Sequence, residues 1–122
     1  AEQIVPPRKV LSKYAAELSA ATDEWLVGEV EAGQTPLAGQ VVWQFMVRIP
    51  ALDNYKVQVL NVRHDPLTLY PSHVWSRWID VNKPAQSCGD QQELQQAIEA
   101  RIAAQPVQGV LASLLSQAKN SP

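Results

Sequence analysis

The sequence is poor in the residues that build crosslinks and phosphate loops: it has 1 Cys and 5 Gly among 122 residues. A single cysteine, Cys88, excludes an intramolecular disulfide and the paired-cysteine motifs of structural zinc sites. The glycines stand singly, which excludes a glycine-rich phosphate loop, and no GxSxG motif occurs. The nucleotide-binding and hydrolase families that these motifs define are therefore excluded.

Charged residues are also few, at 18% of the chain, and the formal net charge is -2. The longest basic run is Arg8-Lys9, so nothing matches the row of cations that neutralises nucleic-acid phosphates. We therefore expect no nucleic-acid partner.

Long apolar runs are missing too: none approaches the roughly 18 residues that a membrane-spanning helix requires. The first residues, AEQIVPPRK, lack the basic and apolar regions of a signal peptide. We expect a cytoplasmic protein without a membrane partner. A secreted or periplasmic location stays open, because the sequence begins with Ala1 and not with Met.

What the chain does have is enough apolar residues, 46% of 122, to fill the core of one domain. We expect a single domain over residues 1–122, with loose termini at residues 1–5 and 119–122. The segment PPRKVLSKYAAELSAAT places apolar residues at three- and four-residue spacing, which predicts an amphipathic helix that ends near Thr22. EWLVGEVEAG then predicts a strand, followed by a loop through Gly33, Pro36 and Gly39.

Strict alternation in QVVWQFMVRIP predicts a strand with one apolar face, and the short ALDN segment predicts a hairpin to YKVQVLNVRH. The apolar phase changes within that second strand, which predicts either a bulge near Val59-Leu60 or burial of the strand on both faces. LTLYPSHVWSRWID predicts a further strand in which Pro71 lies at an edge, a bulge or the strand entrance. NKPAQSCGD is expected to be a loop.

The end of the chain predicts helix again. The segment DQQELQQAIEARIAAQ has helical spacing, and Asp90 is a suitable N-terminal cap for it. Pro106 separates this segment from a second helical pattern, VQGVLASLLSQAK. The two segments form either two helices or one kinked helix. The predicted fold class is α+β: an N-terminal helix, a three- to four-stranded antiparallel meander, and one or two C-terminal helices packed on one sheet face.

The two histidines, His64 and His73, are nine positions apart, which is neither the helical nor the strand spacing of a metal pair. We expect no metal and no cofactor. In HDP, neighbouring strand residues face opposite ways, so His64 and Asp65 do not form a catalytic dyad, and Asp-Pro predicts a turn.

An enzyme is the less favoured hypothesis, and its catalytic residues are unknown. The alternative is a small hydrolase or transferase that uses His64 or His73 with Cys88 or an aspartate. Cys88 precedes a predicted helix, and helix N-termini favour thiolates, but Asp90 beside it opposes thiolate formation.

The favoured functional hypothesis rests on the aromatic residues, because the sequence has 4 Trp and 3 Tyr but only 1 Phe. They are concentrated around the histidines and suit a small apolar or planar ligand or a protein partner. We therefore predict a binding module with a surface in the His64 to Trp78 region. The predicted surface comprises Tyr55, His64, Tyr70, His73, Trp75, Arg77 and Trp78.

The last predicted helix has a dense apolar stripe and no charge before Lys119. Such a helix can cover the sheet and also contact a second copy. A homodimer, or a dimeric regulator or inhibitor of another protein, is therefore the second alternative.

Overall fold

The computed structural model describes residues 4–33 and 39–121, so the part of the predicted loop that contains Pro36 lies outside the described residues. The predicted loose termini fall partly outside as well, at residues 1–3 and 122. The described helices and strands are α1 (Pro7–Ala21), β1 (Val27–Ala32), β2 (Val41–Ile49), β3 (Tyr55–Asp65), β4 (Thr68–Trp75), β5 (Gln86–Cys88), α2 (Gln91–Ala103) and α3 (Gln105–Lys119).

The strands form one antiparallel sheet in the order β1-β2-β3-β4-β5, and side chains from all three helices share one core with one face of that sheet. This confirms the predicted α+β fold. The prediction of three to four strands was too low, because the segment predicted as loop contains β5. β5 has 3 residues, too few to show an alternating pattern, so it is defined by its pairing with β4.

The predicted bulge in β3 is confirmed. Gln58 pairs with Met46 and Leu60 pairs with Phe45, so Val59 is an extra residue in β3. Because the extra residue resets the alternation, Val57 before the bulge and Leu60 after it both face the helices.

The end of α1 also follows the prediction: the helix stops at Ala21. Asp23 and Glu24 then take left-handed conformations, with φ of 50° and 64°, and turn the chain back towards β1. Gly28 permits α1 to lie close on β1, since a Cβ at this position would be 2.7 Å from the Cα of Ala15.

The two C-terminal helices are separate. Ala104 is extended, with φ of -67° and ψ of 144°, and Pro106 lies in the first turn of α3, where no backbone N–H is needed. Asp90 caps α2 as predicted, because its side chain accepts a hydrogen bond from the N–H of Glu93 at 2.9 Å.

The fourth strand is shorter than predicted. It ends at Trp75, and Trp78 lies in the turn that follows, so the prediction of a strand over the whole of LTLYPSHVWSRWID was wrong for its last residues. The turn is closed locally, because the carboxylate of Asp80 accepts a hydrogen bond from the backbone N–H of Ser76, four residues earlier, at 2.8 Å.

Asp80 is itself held by a buried ion pair. The Nε and Nη2 atoms of Arg101 donate to its two carboxylate oxygens, each at 2.9 Å. Arg101 Nη1 donates to Gln86 at 2.7 Å, so one side chain of α2 fixes both ends of the segment before β5. Burial acts to raise the pKa of Asp80, but the hydrogen bonds from Arg101 and Ser76 outweigh it and lower the pKa.

Candidate functional site

The sheet has a face that the helices do not cover, and we call it the open face. Pairing and alternation define its residues. They are Val27, Glu29, Glu31, Val42, Gln44, Met46, Arg48, Lys56, Gln58, Asn61, Arg63, His73, Trp75 and Ser87.

The residues of the predicted surface do not lie together in the structure. His73 and Trp75 share the open face, and His64 faces the helices. Tyr55 is 53% exposed at the far end of β3, and Arg77 is exposed in the turn after β4. Tyr70 donates its hydroxyl hydrogen bond to the carbonyl of Val5, and Trp78 packs against the core.

Both ring nitrogens of His64 are engaged. Its Nε2 lies 3.1 Å from the indole nitrogen of Trp43, which can only donate, so Nε2 accepts. Its Nδ1 lies 2.9 Å from the carbonyl oxygen of Asp65 and therefore carries the proton. These bonds fit the neutral tautomer, and they leave neither nitrogen available to a metal or a substrate.

Cys88 lies on the same face as His64. Ser72 pairs with His64 on one side and with Cys88 on the other, so β4 separates the two residues and their backbones are about 10 Å apart. Cys88 is fully buried. Burial raises the pKa of its thiol, and Glu93 and Asp90 add to this against the opposing charge of Arg101. This environment disfavours the nucleophilic thiolate.

The open face carries a cavity of about 380 Å³, which we call the open-face pocket. It lies beside Trp75 and extends over β2 and β3. Its lining residues are Val42, Gln44, Gln58, Asn61, Arg63, Trp75, Lys83, Pro84 and Ala85.

Arg63 is the unusual residue of this pocket. Its Nε atom is buried and has no hydrogen-bond partner among the described residues. The ion pairs found in that part of the chain involve Arg48, Lys56 and Arg101, and none includes Arg63. A buried N–H donor without a partner costs about 1–3 kcal/mol, so an acceptor that reached this nitrogen would recover that cost.

The charges around the pocket have one sign. Among the residues that the structure describes, its lining contains the cations Arg63 and Lys83 together with amide side chains, and no carboxylate. The acidic residues of the open face are already paired: Glu29 accepts from Arg48 at 2.6 Å, and Glu31 accepts from Lys56 at 2.6 Å. The pocket therefore attracts a negatively charged group.

Trp75 forms a fixed wall of the pocket. Its indole N–H donates to the carbonyl oxygens of Asp80 and Lys83, at 3.1 and 3.3 Å. The buried ion pair between Asp80 and Arg101 stabilises the segment that contains these carbonyl groups. The ring is thus placed before any ligand arrives, which reduces the entropy lost on binding.

Sequence reasoning selected Trp75 and its neighbour His73 but missed Arg63, Asn61 and Lys83. A signal was present, because Asn61 and Arg63 alternate with Val62 and His64 in the strand pattern and so mark its polar face. No sequence pattern indicated Lys83, because it lies outside the strands and only the turn after β4 brings it to the pocket.

Among residues 4–33 and 39–121, no group of three His, Cys, Asp or Glu side chains is placed to hold a metal ion. Within the same ranges, every helix is too short or too polar to cross a membrane. Comparison of the chain with protein-family models, with curated proteins and with solved structures finds no significant match.

Proposed function

We propose that this protein is a binding module whose open-face pocket takes a small planar ligand with a negatively charged group. The observation that carries the proposal is the buried, unpartnered Nε of Arg63 in a pocket lined by cations and amides. Arg63 supplies the charge-assisted hydrogen bonds, and its planar guanidinium suits the two oxygens of a carboxylate or phosphate.

The rest of the ligand is expected to lie against Trp75. A planar ring can stack on the indole, whose orientation its own hydrogen bonds fix. The amide groups of Gln44, Gln58 and Asn61 offer donors and acceptors along the floor. A volume of about 380 Å³ falls within the range of small-molecule sites, about 300–1,000 Å³.

Two probes with the same ring, benzoate and phenyl phosphate, test the proposal and separate a carboxylate from a phosphate ligand. Binding is followed by NMR through the side-chain Nε–H signal of Arg63 and the indole signal of Trp75. We expect both signals to shift saturably with at least one anion, and a weaker response to the neutral analogue benzamide.

Arg63→Met removes the proposed anchor, and Arg48→Met is its matched control because it removes an equal charge from the other end of the open face. Hydrogen bonds to charged groups contribute about 1.5–3 kcal/mol, so Arg63→Met should weaken binding by about 10- to 100-fold. Arg48→Met should change it little. If neither anion binds, or if Arg63→Met binds as well as the unmodified protein, the proposal is wrong.

The hydrolase or transferase alternative has less support. His64 is committed to Trp43 and Asp65, and His73 lies on the opposite face of the sheet from Cys88. No described contact favours the dimeric alternative over the open-face pocket.

A further inference from the structure

A second cavity, about 430 Å³ in volume, lies on the opposite side of the sheet, between α1 and α3. We call it the helix cleft. Leu18 of α1 and Leu111 and Leu115 of α3 form its walls, and Phe45 and Val59 of the sheet contribute to its lining. It shares no lining residue with the open-face pocket.

The cleft exists because the helices cover different parts of the sheet. α1 packs on β1 and β2, α2 packs on β4 and β5, and α3 contacts the turn at Pro50–Leu52. The centre of the sheet is thus covered from two sides by helices that do not close over it. Small residues at the entrance, Ala21 and Ala112, keep the cleft open.

One end of the cleft is acidic. Glu17 belongs to its lining, which includes no lysine or arginine from the described part of the chain. Beside it, the Tyr14 hydroxyl donates to Glu99 at 2.7 Å and links α1 to α2. Lys13 lies over the Tyr14 ring, with its ammonium nitrogen 5.8 Å from the ring centroid. Its positive charge offsets one of the two negative charges of Glu17 and Glu99.

The environment of Tyr14 reflects this excess of negative charge. Burial raises the pKa of its hydroxyl most, and the hydrogen bond to Glu99 and the charges of Glu99 and Glu17 raise it further. An apolar occupant that also carries a positive charge therefore complements the cleft better than a neutral or anionic one.

We infer that the helix cleft is a binding site for a small cationic amphiphile, with its apolar body between α1 and α3 and its charged group beside Glu17. A small molecule is favoured over a helix of a partner protein, because the volume lies within the small-ligand range of about 300–1,000 Å³ and the Tyr14–Glu99 bond bridges two helices at one end.

The test uses dodecyltrimethylammonium and dodecanoate, a cation and an anion with alkyl tails of similar length, each below its micelle concentration. Binding is measured by calorimetry, and its location by NMR shifts of the methyl groups of Leu18 and Leu115. We expect one saturable site for the cation and binding of the anion weaker by about fivefold, the effect of one exposed charge pair. Glu17→Gln should remove most of that difference.

Ala112→Phe fills the entrance of the cleft from an exposed position on α3, and Gln117→Phe adds the same ring at an exposed position on the opposite face of that helix. Ala112→Phe should lose binding, and Gln117→Phe should retain it, with the circular dichroism of both unchanged. Ala21→Phe repeats the test from α1 if the first variant does not fold.

Four outcomes would overturn the inference. The first is no saturable binding of the cation, and the second is equal binding of cation and anion. The third is binding that Ala112→Phe and Ala21→Phe both leave intact. The fourth is saturable binding of a basic amphipathic peptide in the cleft without any binding of the cation, which would identify a protein partner instead.

Discussion

Arg101 and Arg63 lie on opposite sides of the sheet and differ in how many of their side-chain N–H groups have a hydrogen-bond acceptor. Arg101, 6% exposed, donates to both oxygens of Asp80, to Gln86 and to the carbonyl of Ala97. Arg63 has a buried Nε with no partner among the described residues. A buried donor without a partner costs stability, and an acceptor on a ligand that reached it would recover that cost.

The largest expected effect comes from breaking the satisfied pair. Arg101→Met leaves the Asp80 carboxylate buried without its cation, so the free energy of unfolding should fall by about 3–5 kcal/mol. Urea denaturation followed by tryptophan fluorescence measures this loss. A decrease in the free energy of unfolding of less than about 1 kcal/mol would mean that the ion pair does not stabilise the segment before β5.

The double variant Asp80→Leu/Arg101→Met separates the cost of an unpaired charge from the value of the pair. Because apolar residues often replace a buried ion pair without loss, we expect the double variant to be more stable than Arg101→Met alone. The same denaturation experiment compares them, and equal stabilities would contradict this explanation.

Arg63→Met should act in the opposite sense. It removes a buried donor without a partner, so the free energy of unfolding should stay unchanged or rise by up to about 1 kcal/mol. Thermal or urea unfolding of the ligand-free protein tests this, and a loss of several kcal/mol would show that Arg63 has a structural role after all.

A smaller effect is expected at the exposed end of the open face. The side chain of Glu29 is 28% exposed and pairs with Arg48, so Glu29→Gln should cost only about 0.2–1 kcal/mol. Added salt should reduce the difference between the variant and the unmodified protein, since salt screens exposed pairs. Salt-dependent urea unfolding provides the measurement.

The last prediction concerns acid. The pKa of Asp80 is lowered from its ordinary value of 3.8, so its contribution to stability is fully present above that pH. As the pH falls below 3.8, the unfolded state takes up the proton first, and the contribution is lost as the pH passes through the folded pKa. The Asp80→Leu/Arg101→Met variant should lose less stability over this range, as measured by urea unfolding at several pH values.

Local patterns predicted much of the fold. The spacing in α1, the alternation in β2 and the phase change at Val59 each reflect a face that had to be buried, and such faces are visible in a sequence. β5 and the early end of β4 were not predictable in this way. They depend on Asp80 and Arg101, which meet only after the chain has folded.

The candidate site was predicted less well for a related reason. Trp75 and His73 stood out by residue type, but a pocket requires neighbours from other strands. Arg63 looks like any polar residue of a half-exposed strand until its surroundings show that its Nε has no partner. What identifies it is that no carboxylate of residues 4–33 or 39–121 forms an ion pair with it, and the spacing of residues in a sequence cannot show this.

The extra residue in β3 has a consequence for how the chain tolerates changes in length. Removing Val59 would leave a regular strand in which Gln58 and Leu60 keep their present partners, Met46 and Phe45. What a deletion would take away is a buried side chain and the carbonyl that accepts the hydroxyl of Ser76 at 2.8 Å. The insertion thus serves as an anchor for the turn after β4, and the pairing on either side of it is independent of its presence.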